Sequence, residues 1–179
     1  MKRSGDEDTT STKRRGRVSR KATLSQDAVV AEPGTVQTKQ QLHLSVPGEP
    51  VGQPRHRVST IGGQARMYLP TNHPVHDYKA AIRTEFITEA KVWRTIRGPV
   101  HVGIYLWFAM PASWSKKKRA AHAGQYHAQK PDTDNVVKAV LDALTDCYVW
   151  RDDSQVASCV VIKRWAGSEP TTLIEIVEL

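Results

Sequence analysis

Between Val100 and Met110, Val102, Ile104, Leu106 and Phe108 alternate with Gly103, Tyr105, Trp107 and Ala109, so an extended segment here is apolar on both faces. Such a strand needs cover on each side, which predicts a place inside a sheet or at a contact between two copies. Other alternating runs supply its neighbours. Leu42, Leu44 and Val46 alternate with His43 and Ser45 up to Pro47-Gly48, and Ala65 to Leu69 forms a brief strand after a turn at Gly62-Gly63. Gln155 to Trp165 and Thr171 to Val177 give two more, expected to pair with each other.

Helical spacing appears in two longer stretches. From His76 to Ile96, Tyr78, Ala81, Ile82, Phe86 and Ala90 line one side, and in the segment after Asp134 the stripe is Val136, Val137, Val140, Leu141 and Leu144. A third, short helix begins at Ser113 or Ser115, either of which can cap it. The order strand, loop, helix, strand, helix, helix, strand, strand predicts an α+β domain, with a small mixed sheet and helices packed mainly on one face.

The chemistry concentrates between Lys130 and Lys163. Asp132 and Asp134 stand just before the second amphipathic helix, Lys138 lies inside it, and Asp152-Asp153 follows its end. Asp134 or Asn135 can cap the helix, and Lys138 and Asp142 follow Asp134 at four-residue steps on the polar side. If the chain stays extended to Asp134, both early carboxylates project to one side. Folding the strand after Asp153 back beside the helix would bring that acid to the pair. Converging carboxylates repel unless a cation intervenes. With no compact His/Cys cluster, an all-oxygen site for Mg2+, with Mn2+ as a substitute, fits better than zinc. Such an ion can activate water and offset phosphoryl charge, with Lys138 beside it.

The same acids also serve, elsewhere, for capping and solubility alone. A calcium loop does not fit: Val137 stands where the sharp turn needs Gly, and Ala143 where a bidentate Glu would close the loop. The seven histidines, His43, His56, His73, His76, His101, His122 and His127, match no metal spacing, so packing or exposure is expected of them.

The formal charge of +8 favours a polyanionic partner, although the densest acids lie at the proposed site. A basic surface with an acidic, metal-loaded pocket suits a nuclease. Cys147 and Cys159 have no CxxC spacing and point to a reducing, cytoplasmic setting. The longest apolar stretch, Val100 to Pro111, is too short to span a bilayer, so no membrane association is expected. Residues 1 to 40 are rich in Ser, Thr, Lys and Arg and lack aromatics, which predicts a disordered basic tail ahead of a domain over 41–179. The run Lys116-Lys117-Lys118-Arg119 opens the short helix with cations that oppose its dipole; contact with a DNA backbone gives it a reason, a solvated face being the alternative.

Lys130-Pro131-Asp132-x-Asp134-Asn135, then Lys138, Asp142-Ala143-Leu144 and Trp150-x-Asp152-Asp153-Ser154-Gln155-Val156, resembles the signature of the RusA family of Holliday-junction resolvases. The resemblance covers the C-terminal third strongly and the region from about Leu42 more loosely. It implies Asp132, Asp134 and Asp153 as catalytic, metal-holding carboxylates, Lys138 as the essential cation, and Asp152 as a neighbour or a turn residue. It also implies a homodimer acting on branched DNA such as a four-way junction, in a bacterial cell and with a phage or prophage origin. The family's early loop carries a compact Arg-Pro-Arg group. Here Pro54-Arg55-His56-Arg57 departs from it, so DNA contact by Arg55 and Arg57, as by Lys130, is an expectation alone. The rival readings are a nuclease for other branched DNA and a noncatalytic basic DNA-binding protein.

Overall fold

The computed structural model describes residues 39–54, 57–61, 64–68 and 70–179, within one unit spanning Gln37–Leu179. The basic tail expected over residues 1–40 therefore lies outside the described residues, apart from Lys39 and Gln40. In chain order the elements are β1 (Gln41–Pro47), β2 (Arg57–Ile61), β3 (Gln64–Tyr68), α1 (Val75–Glu89), β4 (Val100–Phe108), α2 (Lys116–His122), α3 (Thr133–Asp146), β5 (Val156–Trp165) and β6 (Thr171–Glu178). A single 3-10 turn, Asp153–Gln155, leads into β5.

The main sheet has the order β1-β6-β4-β5, with β6 antiparallel to both β1 and β4, and β4 parallel to β5. The α+β mixed sheet predicted from the periodicities is present. As the doubly apolar run requires, β4 is interior. Its residues Val100, Val102, Ile104, Leu106 and Phe108 are buried on the helix side, while His101, Tyr105 and Trp107 are half-buried on the other. The pairing expected between the last two strands does not occur, because β4 takes the place between them and β6 closes against β1 instead. β2 and β3 form a separate two-stranded hairpin.

α1 ends at Glu89, short of the Ile96 that its spacing predicts. Tertiary contacts stop it: Trp93 turns back edge-on to Phe86 with ring centroids 5.9 Å apart, and its indole N–H donates to the Val149 carbonyl. Ile96 then bridges to Trp150, both fully buried. α3 buries Val136, Ala139, Val140, Ala143 and Leu144. It ends at Asp146, and two residues on Tyr148, a left-handed residue (φ 57°), turns the chain so that Val149 and Trp150 enter the core. Parallel pairing of β4 and β5 demands a long crossover, and α2 and α3 are that crossover.

Candidate active site

Helix α3 begins at Thr133, before the end of the extended Asp132–Asp134 segment that was expected. Asp132 is its N-cap and Asp134 lies in its first turn, so the two carboxylates are set by the helix start and not by strand alternation. The capping expected of Asp134 or Asn135 therefore falls to Asp132 by position, yet the Asp132 side chain makes no capping hydrogen bond. Both carboxylates are exposed, and neither is in an ion pair among the described residues. Lys138, one turn on, is also exposed and outside any ion pair there. Further along the same helix the charges are used structurally: Asp142 pairs with Lys79 at 2.8 Å and Asp146 with Arg83 at 3.1 Å, tying α3 to α1.

Several groups hold this helix start in place. Lys163 of β5 donates to the carbonyls of Gln129 and Pro131, both at 2.6 Å, on either side of Lys130. Burial lowers the Lys163 pKa, and the nearby Asp132 carboxylate opposes that shift. From the other side, the Gln53 amide donates to the Asn135 carbonyl at 2.8 Å. A Cβ on Gly52 would meet Pro131 at 3.0 Å and Asn135 at 3.2 Å, so the backbone passes there because no side chain intervenes. A cleft of about 420 Å3 opens at this end of α3, lined by His127, Lys130, Asp132, Thr133 and Lys163 among others.

His127 is the residue that its spacing concealed. It is 7% exposed, stacked on Phe108 with centroids 4.3 Å apart and edge-on to Trp165 at 4.3 Å. Its Nδ1 is buried with no hydrogen-bond partner among the described residues. Burial, aided by the Lys163 charge, pushes its pKa down, which keeps the imidazole neutral. Packing was the expected role; the position at the cleft was not. Three chain segments make it, and no local pattern reports such a meeting.

Asp152 and Asp153 stand elsewhere. Asp152 is a turn residue: its carboxylate accepts from the Ser154 amide at 2.9 Å, hydrogen bonding with Ser154 holds its pKa down, and Gln155 completes a capping box. The Gln155 side chain also donates to the Ile96 and Gly98 carbonyls, clamping the turn to the sheet. Asp153 is exposed and lines a second cleft with Lys79, Asp142, Thr145, Asp146 and Asp152. With a rise of about 1.5 Å per residue, Asp142 and Asp146 lie roughly 12 and 18 Å beyond Asp134. The expected meeting of Asp153 with Asp132 and Asp134 therefore does not happen within one chain. β5 runs back beside α3 as expected, but Asp153 precedes that return, and it is Lys163, at the far end of β5, that reaches Pro131. Among the described residues, no three His, Cys, Asp or Glu side chains converge to hold a metal ion. Two exposed carboxylates do suit a magnesium or manganese ion that keeps several waters, since such ions commonly bind through one or two carboxylates plus substrate phosphate.

The expected DNA contacts divide in the same way. Lys116, Lys117, Lys118 and Arg119 are all exposed on α2, which buries none of its residues and is capped by Ser115. Lys118 sits over the Trp114 ring at 4.1 Å, and Trp114 packs on Trp165, so the cationic helix is anchored to β5. Lys130 is exposed at the cleft. Arg55 lies outside the described residues, as does the side chain of Arg57 at the start of β2. No helix is long and apolar enough to cross a membrane among the described residues.

Residues 47–177 match the family model described as Endodeoxyribonuclease RusA. The chain is also 35% identical over 143 residues to YqaN of Bacillus subtilis (strain 168), a protein named as uncharacterized, covering 77% of this chain and 96% of that one.

Proposed function

From the premise that this chain belongs to the RusA family of endodeoxyribonucleases, we propose that it is a divalent-metal-dependent resolvase that cuts four-way DNA junctions in recombination and repair. The observation that carries this reading is the start of α3. There two aspartates sit exposed at a helix N-terminus, free of capping and ion pairs among the described residues, with a lysine one turn away. A helix start already carries partial positive charge, which favours carboxylates and approaching phosphate alike.

In this reading Asp132 and Asp134 hold Mg2+ or Mn2+, which when bound would lower the pKa of a water and polarise a phosphoryl oxygen. Lys138 offsets charge on the phosphate as the bond to the leaving oxygen breaks. Lys163 fixes the loop that carries Asp132. Asp153 enters from a second copy of the chain. One chain places it at the far end of α3, and a two-fold dimer is the arrangement that sets one end of a helix against the opposite end of its copy. A dimer with two such centres also matches a four-way junction, in which two opposed strands are cut.

The test is cleavage of a synthetic four-way junction with magnesium, beside flap and linear duplex controls. Asp134→Asn and Asp153→Asn should each abolish cutting and leave junction binding intact or tighter, because less negative charge faces the phosphate. Mixing the two inactive variants should restore nicking of one strand, since one of the two shared centres in a mixed dimer is complete. Wild-type cutting by either variant removes that residue from the mechanism, and failure of the mixture to recover any nicking removes the shared centre.

A further inference from the structure

Among the described residues two buried side-chain polar atoms lack a hydrogen-bond partner, Gln53 Oε1 and His127 Nδ1, and both flank the start of α3. Such orphans are few in a folded protein, and each leaves a desolvated group uncompensated. His127 is the more telling of the two. Phe108 stacks on its ring, Trp165 meets it edge-on, and its backbone N–H is bonded to the Lys163 carbonyl at 2.9 Å, so the side chain has one fixed pose. The open space that it borders is the cleft of about 420 Å3 beside Asp132 and Thr133, a size suited to a small organic group. The walls choose among ligands. Lys163 spends its ammonium on the Gln129 and Pro131 carbonyls, so an anion entering the cleft would meet the Asp132 carboxylate with Lys130 alone to offset it. The imidazole is neutral, and Ala128 and Pro131 add apolar surface. A flat, neutral group with a hydrogen-bonding edge fits this lining, and in DNA that group is a nucleobase.

We propose that the cleft receives one unstacked nucleobase from the nucleotide next to the scissile phosphate, and that His127 Nδ1 hydrogen-bonds its edge, which makes His127 a specificity-determining residue. The source of the base rests on the reading above: with the scissile phosphate at Asp132 and Asp134, a group that enters beside Asp132 comes from the adjoining nucleotide. A base inside a duplex must give up its pair and its stacking to enter. One at a branch point gives up less, so the cleft favours branched over linear DNA without any contact to the junction as a whole.

The test steps a single abasic site, nucleotide by nucleotide, through the branch point of a synthetic four-way junction, with binding measured in EDTA and cleavage with magnesium. At one position, base removal should weaken wild-type binding at least fivefold and slow cutting at least tenfold. His127→Phe, which keeps the stacking with Phe108 and Trp165 but has no ring nitrogen, should handle the intact junction as poorly as wild type handles the abasic one, with no further loss when the base is removed. His127→Asn, whose amide stands near the Nδ1 position, should recover part of the discrimination. Equal handling of intact and abasic junctions by wild type overturns the base site, whether or not the variants fold, and so does full abasic sensitivity in His127→Phe. A loss that follows a neutral methylphosphonate at that step, and not the base, makes the cleft an anion site and overturns the proposal as well. A protein that senses the base in EDTA and cuts no DNA overturns the nuclease reading alone; one that cuts junctions without sensing any base overturns the cleft assignment alone.

Discussion

Lys163 and His127 show how much of the site is held by residues that carry no motif. With two carbonyls bonded to one ammonium at 2.6 Å, Lys163→Met should free the Gln129–Pro131 loop and let Asp132 drift. The expected result is at least a tenfold fall in cleavage at saturating DNA, with the melting temperature within a few degrees of wild type; unchanged cleavage would show that Asp132 needs no such anchor. His127 makes a different prediction. Its folded-state pKa lies below the usual 6.5, so the unfolded chain takes up a proton first as pH falls. The stability it contributes is complete above about pH 6.5 and is lost progressively below that value. Thermal melts of wild type and His127→Phe between pH 8 and 5 should therefore converge or cross in favour of the variant, since phenylalanine keeps the stacking with Phe108 and Trp165 and has no proton to accept. A constant gap would mean that the imidazole titrates alike in both states.

Among the elements, those with strong periodicity were readable in advance and those stopped by distant contacts were not. The stripe of α3 buries Val136, Val140 and Leu144 as its spacing requires, and β1, β4, β5 and β6 fall within a few residues of their alternating runs. The end of α1 was hidden because Trp93 leaves the helical path to fold back on Phe86 and to bond to Val149, which is far from it in sequence. Asp132 and Asp134 were legible as a pair from their place before a helix. The position of Asp153 was not, because it depends on where the return strand starts relative to the helix end, and periodicity does not encode that. α2 carries its own prediction. Changing Lys116, Lys117, Lys118 and Arg119 to Gln should weaken junction binding and reduce the slope of log affinity against log salt by about 0.9 for each phosphate that these cations neutralise. Because α2 buries nothing, the sheet and α3 should be unaffected even where the Lys118–Trp114 contact is lost, and an unaltered slope would leave these cations as a solvated face.

For the whole molecule, the proposed centre shared between chains predicts that activity follows assembly. Specific activity should fall on dilution and recover on reconcentration, with a midpoint that matches the dimer dissociation constant from sedimentation; activity independent of dilution down to the monomer range would place a full centre in one chain. The sheet order has its own consequence. β6, residues Thr171–Glu178, lies between β1 and β4, so until the segment after Pro170 exists β1 has no strand partner and β4 has only β5 on its other side. On the ribosome, the hydrophobic rows of Leu44 and Val46 and of Val102, Ile104 and Leu106 emerge well before it. The nascent polypeptide therefore waits with β1 unpaired and one edge of β4 open, and chaperone capture during translation, more than final stability, should govern how much protein a cell recovers.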